Sequence, residues 1–153
     1  MLVRGKTDAT LLIDGNTIRQ TPLARGIDIQ FLGPTDGSAA PTSDVTVTNN
    51  DVDPQDSTGF PAAAIYAVAN SQGGGVVTVR FDVRGNTVPA GLSFDVLPVF
   101  LIVDEVVPQA VTELVDTAPA DVTCLGQLTS TNTGSAAAAV GCTLIAGPIE
   151  TPP

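Results

Sequence analysis

The chain has 153 residues, with 6 Lys and Arg against 16 Asp and Glu, no His and no Trp, for a net charge of −10. Without His it lacks the usual general base, zinc ligand and physiological pH switch, and the acidic excess opposes nucleic-acid binding, which needs cations against phosphates. Only 14% of residues are charged and the mean hydropathy is +0.29, so a buried core is expected rather than disorder.

Residues 1–10 read as an N-terminal arm carrying Arg4 and Lys6. The first apolar stretch, Leu11-Leu12-Ile13, stops at Asp14-Gly15, too short for a secretory signal. Synthesis in the cytoplasm without a signal peptide is expected. The longest apolar run, Val96 to Val103, is too short to span a bilayer.

Residues 11–104 read as an all-β domain, an antiparallel β-sandwich of Ig-like or jelly-roll-like type. Ile27–Phe31, Asp44–Thr48, Val76–Val83 and Leu92–Val96 alternate apolar and polar residues, the period of a half-buried strand. Asp14-Gly15-Asn16 and Arg84-Gly85-Asn86 suit tight hairpin turns, because Gly and Asn accept positive φ cheaply. Pro61–Asn70 fits either a short helix or a buried strand. Gly15-Asn16-Thr17-Ile18 returns as Gly85-Asn86-Thr87-Val88, 70 residues later, and Gly26–Pro34 is echoed by Gly91–Pro98 at an offset of 65. A duplicated hairpin unit would give this echo, but recurrent turn chemistry is the stronger reading, because two partial matches carry little weight for a repeat.

Asn49 to Gly59 reads as a long polar loop. Asn49, Asp51 and Asp53 match the first ligand positions of a calcium loop, with Asp56 nearby, but Pro54 replaces the turn glycine and Phe60 the bidentate Glu. Calcium is the only cofactor the sequence suggests, and a solvated acidic turn explains the same residues. Asp104-Glu105 would point to opposite faces of an extended chain. Gly73-Gly74-Gly75 precedes a strand, so it lacks the helix of a phosphate loop. No enzymatic activity is predicted.

All six bases lie within the first 84 residues, whereas residues 85–153 hold seven acids and no base. Residues 105–121 read as a linker or irregular arm. Residues 122–146 read as a β-hairpin turning at Thr133-Gly134, which would set Cys124 opposite Cys142. Two thiols, an intrachain disulfide and links to another chain all remain open. The Pro-rich tail 147–153 should be extended. Interface candidates are Arg4, Lys6, Arg80 and Arg84 for charge, and Val99, Phe100 and Leu101 within the apolar run.

In overall style (leaderless, β-rich, Lys-poor, acidic, rich in Thr, Ala, Val and Gly) the chain resembles small accessory proteins of tailed-phage virions, the capsid decoration or cement type. The resemblance implies a structural virion protein that binds capsid or other virion proteins and its own copies. A trimer is the implied oligomer, with neither nucleic acid nor membrane as partner. It places contacts on the arm Leu2 to Thr10 and on Val76–Val83, and a Cys124–Cys142 bond formed after lysis would lock the C-terminal arm. The alternatives are an Ig-like surface-binding or adhesion module, calcium-dependent through Asp51, Asp53 and Asp56, and a neck, tail or filament subunit.

Overall fold

The computed structural model describes residues 2–4, 8–19, 26–53, 64–70, 75–88, 110–116, 123–134 and 142–152. In chain order the elements are β1 (Leu2–Arg4), β2 (Thr10–Asp14), β3 (Thr17–Arg19), β4 (Ile27–Leu32), β5 (Ser43–Thr48), β6 (Asp51–Asp53), β7 (Ile65–Asn70), β8 (Val77–Arg84), β9 (Ala110–Asp116), α1 (Cys124–Thr131) and β10 (Thr143–Ala146).

The strands form three sheets, in the orders β1-β4-β7, β10-β9-β8-β5-β2 and β3-β6. Every pairing between them is parallel. From β1 to β8 successive strands visit the first, second and third sheet in turn and then begin again, and β9 and β10 both add to the second. The third sheet continues as parallel bridges from Asp51 to Thr87 and from Thr87 to Thr133. This is a three-faced parallel β-solenoid, in which each coil lies about 4.8 Å above the last.

The architecture overturns the antiparallel Ig-like or jelly-roll sandwich. Period-2 alternation reports a half-buried strand but not the direction of its neighbour. The Gly-Asn corners do have the expected left-handed backbone, with φ of 67° at Gly15, 55° at Asn49 and 67° at Gly85. They turn the chain from the second sheet into the third instead of reversing it. The spacing of 70 residues between Gly15-Asn16 and Gly85-Asn86 is therefore two coils, a true repeat. Pro61–Asn70 contributes strand β7, not a helix. The expected long loop from Asn49 contains strand β6.

Side chains stack in rows across the large sheet. Leu11, Val45, Phe81, Leu114 and Leu144 occupy one register row. Val45, Phe81 and Leu114 are buried, while Leu11 and Leu144, in the outermost strands, are partly buried against the same core. Opposite them, Ile27, Ile29 and Phe31 of β4 pair in register with Ile65, Ala67 and Ala69 of β7. A buried Phe or Ile contributes about 1.5–3 kcal/mol from desolvation alone.

The C-terminal part departs from the expected hairpin. Thr123 caps α1, its hydroxyl accepting from Gly126 N at 3.0 Å. Cys124, Gln127 and Leu128 form the buried face, an i, i+3, i+4 stripe. β10 runs parallel to β9, so no antiparallel hairpin surrounds the cysteines. β9 and β10 extend the sheet that holds β2, β5 and β8, so a boundary at residue 104 does not divide the architecture. Beyond β10, Gly147 turns the chain with φ of 86°. Ile149 is then buried, and Glu150 N donates to Asp44 Oδ2 at 2.9 Å, tying the tail to β5.

Candidate functional site

Among the described residues, a column of asparagines runs along the corner after the large sheet. Asn16 and Asn50 are 34 residues apart, Asn50 and Asn86 are 36 apart, and Asn86 and Asn132 are 46 apart. Backbone N and Nδ2 of Asn16 both donate to Asn50 Oδ1, at 3.0 and 2.9 Å. The same two donors of Asn50 reach Asn86 Oδ1 at 3.0 and 2.9 Å, and those of Asn86 reach Asn132 Oδ1 at 2.9 Å each. Each later Nδ2 also donates back to the coil before it, to Ile13 O, Val47 O and Val83 O respectively. An amide side chain suits this position because it offers an acceptor and two donors. Asn50 and Asn86 are buried, and the ladder satisfies groups that would be costly to bury alone.

Helix α1 enters this column without breaking it. The spacing of 46 residues accommodates a segment that ends in the helix. Gly85 N donates to Thr131 O at 2.7 Å, and Asn132 then takes the ladder position with an extended backbone, φ −129°. A helix terminus replaces the left-handed corner used at Gly15, Asn49 and Gly85. The Cys124–Cys142 disulfide ties the start of this helix to the residue before β10, with Cα atoms 6.2 Å apart.

On the outward face of the large sheet, Thr10, Asp44, Arg80, Glu113 and Thr143 lie in one register row. Arg80 grips Asp44 with both prongs, Nε to Oδ1 and Nη2 to Oδ2, each at 2.6 Å. Asp44 is 3% exposed, and its hydrogen bonds and charge hold the Arg80 guanidinium more firmly protonated. In the adjacent row, Thr46 pairs in register with Asp82. Thr46 Oγ1 and Asp82 Oδ1 are buried without a hydrogen-bond partner, while Asp82 Oδ2 meets Arg84 at 3.1 Å. Burial raises the Asp82 carboxyl above the ordinary aspartate value, and Arg84 only partly opposes this.

Beside the corner, Thr48, Asn49, Arg84 and Gly85 line an open groove of about 310 Å³. Asp14 sits next to it and accepts from Thr48 Oγ1 at 2.7 Å and Asn49 Nδ2 at 2.9 Å. These two bonds lower the Asp14 carboxyl below its usual value. The Arg84 side chain is 55% exposed and, although paired with Asp82, brings a cation to the groove.

The residues singled out by sequence fall as follows. Asn49 is at the corner, bonded to Asp14. Asp51 and Asp53 flank buried Val52 on β6, so they are strand residues and not consecutive loop ligands. Asp51 is engaged by Arg19, whose hydrogen bonds lower its carboxyl below the ordinary value. Asp56 lies outside the described residues, as do Lys6, Val99, Phe100 and Leu101. Among the described residues, no group of three or more Cys, Asp or Glu is placed to hold a metal ion. Arg4 belongs to β1, and Arg80 and Arg84 are tied to Asp44 and Asp82.

Sequence reasoning passed over the asparagine column. The signal was present in Gly15-Asn16-Thr17, Asn49-Asn50-Asp51, Gly85-Asn86-Thr87 and Thr131-Asn132-Thr133. Comparison with protein-family models, curated proteins and solved structures finds no match.

Proposed function

We propose that this protein is a structural subunit that works by contact, and in its most specific form a virion accessory protein of a tailed phage that binds capsid or other virion subunits. The observation that carries this reading is the direction of the polar chemistry. The asparagine column, the Asp44–Arg80 clamp and the Asp14 bonds all join one coil to the next. Such side chains build a rigid ladder with flat, repetitive faces, a platform suited to broad contacts. The acidic, Lys-poor composition supports the same reading, since it disfavours nucleic acid as the partner.

A surface-binding module is the second reading, and the groove of Thr48, Asn49, Arg84 and Gly85 favours it. A guanidinium beside amide and hydroxyl groups could hold an acidic or hydroxyl-rich polymer.

The two readings separate on purified particles. Density-gradient-purified virions from the producing culture would be probed with an antibody to this chain, before and after a high-salt wash. Stoichiometric retention on particles supports the virion reading. Its absence from particles, with the chain free or on cell surfaces, rejects that reading in favour of the second.

A further inference from the structure

The chain contains the dipeptide Asp-Gly twice, at Asp14-Gly15 and at Asp36-Gly37. This dipeptide carries a reaction of its own. The glycine nitrogen attacks the aspartate Cγ and closes a five-membered succinimide, and one water leaves with a carboxyl oxygen and the amide proton. Water then opens the ring at either carbonyl. It returns aspartate, or gives isoaspartate, whose main chain runs through Cβ and Cγ. No oxidant or cofactor enters. Glycine favours closure because no Cβ obstructs its nitrogen. In a folded chain, local structure decides whether the nitrogen and the carboxyl are available to each other.

The two sites differ in this respect. Gly15 N donates to Thr48 O at 3.1 Å. The Asp14 carboxyl is drawn sideways onto the next coil by Thr48 Oγ1 and Asn49 Nδ2, 34 and 35 residues away. These bonds favour its ionised form, which is the poorer electrophile. Ring closure there must first break bonds between coils. Asp36 and Gly37 are exposed, in the connection between β4 and β5. Among the described residues, no acceptor meets Gly37 N. The Asp36 carboxyl folds forward along its own chain. Its Oδ1 accepts from Ser38 N at 3.0 Å and from Ser38 Oγ, an Asx turn that spans the Gly37 peptide. Gly37 has a φ of 76°, and nothing lies within 4 Å of the place a Cβ would take, so the ring has room.

We propose that Asp36-Gly37 is a modification site, at which the folded chain forms succinimide and then isoaspartate unaided, while Asp14-Gly15 is protected. The fold accommodates the product. Isoaspartate adds one methylene to the main chain at the tip of the connection. The two ends of that connection are held by Gly33 N to Asn70 O at 2.7 Å and by Ala40 N to Val76 O at 2.8 Å. Exposed loop tips tolerate such insertions. The modification depends on neither functional reading above.

The full 153-residue chain would be aged in warm neutral buffer, folded and in parallel in urea, then digested with trypsin. Trypsin places Asp14 in the peptide 7–19 and Asp36 in the peptide 26–80. Loss of one water in mass reports succinimide, and electron-transfer fragmentation locates isoaspartate. In the folded protein the product should form at least about tenfold faster at Asp36 than at Asp14, because the bonds that protect Asp14 must open first. In urea the two rates should converge. Asp36→Glu cannot close a five-membered ring, so it should remove the product from 26–80 and leave 7–19 as before. The aged protein should melt at the temperature of the fresh one. Equal rates in the folded chain, or a faster reaction at Asp14, would overturn the proposal. A gap that persists in urea would also overturn it, because flanking sequence and not structure would then set the rates. A melting temperature that falls as isoaspartate accumulates would overturn its placement at a tolerant tip.

Discussion

Asn50 donates its side-chain amide to Asn86 Oδ1 at 2.9 Å across 36 residues of sequence, and both side chains are buried. This contact joins two successive corners of the solenoid, and the bonds on either side of it share its geometry. The column is one hydrogen-bonded unit, and its inner rungs carry more bonds than its first.

The rungs should therefore differ in cost. Asn86→Ala strips partners from Asn50, Val47 O and Asn132, and should destabilise the fold by about 3 kcal/mol, since each buried group left unpaired costs about 1–3 kcal/mol and such losses do not simply add. Asn16→Ala removes an exposed rung and should cost less than about 1 kcal/mol. Urea denaturation of both variants measures the difference. Equal costs would mean that the column does not act as a unit.

Asp44 links the clamp to the tail. Asp44→Ala loses both bonds to Arg80 and the acceptor of Glu150 N. Because Arg80 keeps access to water, the expected cost is about 2 kcal/mol, below the range for a fully buried pair. Amide hydrogen exchange should accelerate at Ile149 and Glu150 more than in β4 or β7. Unchanged protection of the tail would show that Asp44 does not hold it.

Asp82 gives the stability a pH dependence of known sign. Its folded-state carboxyl is raised by burial, so the native state binds its proton more tightly than the unfolded chain does. That contribution is complete below the ordinary aspartate value, about 3.9, and is lost as pH rises through the higher folded value. Asp14 and Asp51 are lowered, and act oppositely: their contribution is present above the ordinary value and lost as pH falls. Asp82→Asn should flatten the first component, raising stability relative to the parent at pH 7 and losing that advantage as pH falls below the ordinary aspartate value. Thermal melts of both proteins across pH test it. A constant difference at all pH values would contradict the assignment.

The disulfide should act on one end of the molecule. Cys124→Ser with Cys142→Ser opens a loop whose closure contributes about 3 kcal/mol in the chain-entropy model. Exchange should increase first in α1 and β10, while β4, β5 and β7 retain their protection. Uniform loosening of all coils would instead make the bond a global staple.

Much of the local structure was legible in the chain, and its arrangement was not. The alternation in Ile27–Phe31, Asp44–Thr48 and Val76–Val83 located β4, β5 and β8 and their inward faces. The same alternation appears in parallel and antiparallel sheets when one face is buried, so it left direction undetermined. The Gly-Asn corners revealed positive φ at Gly15 and Gly85 but not the angle through which the chain turns. The repeat was partly hidden because its rungs are unevenly spaced and one corner is replaced by α1. That helix carries Gly126 and several Thr and Ser residues, which weaken a helical signature. Asn49, Asp51 and Asp53 looked like cation ligands because a loop was assumed, whereas a corner followed by a strand separates them.

Nuclear Overhauser contacts in labelled protein test the parallel stacking most directly. The account predicts contacts from the side-chain amide of Asn50 to Asn86, and from the backbone of Val45 to Phe81 and of Phe81 to Leu114, all in parallel register. Cross-strand Hα–Hα contacts typical of antiparallel pairing between the segments 43–48 and 77–84, with no Asn50–Asn86 contact, would contradict it.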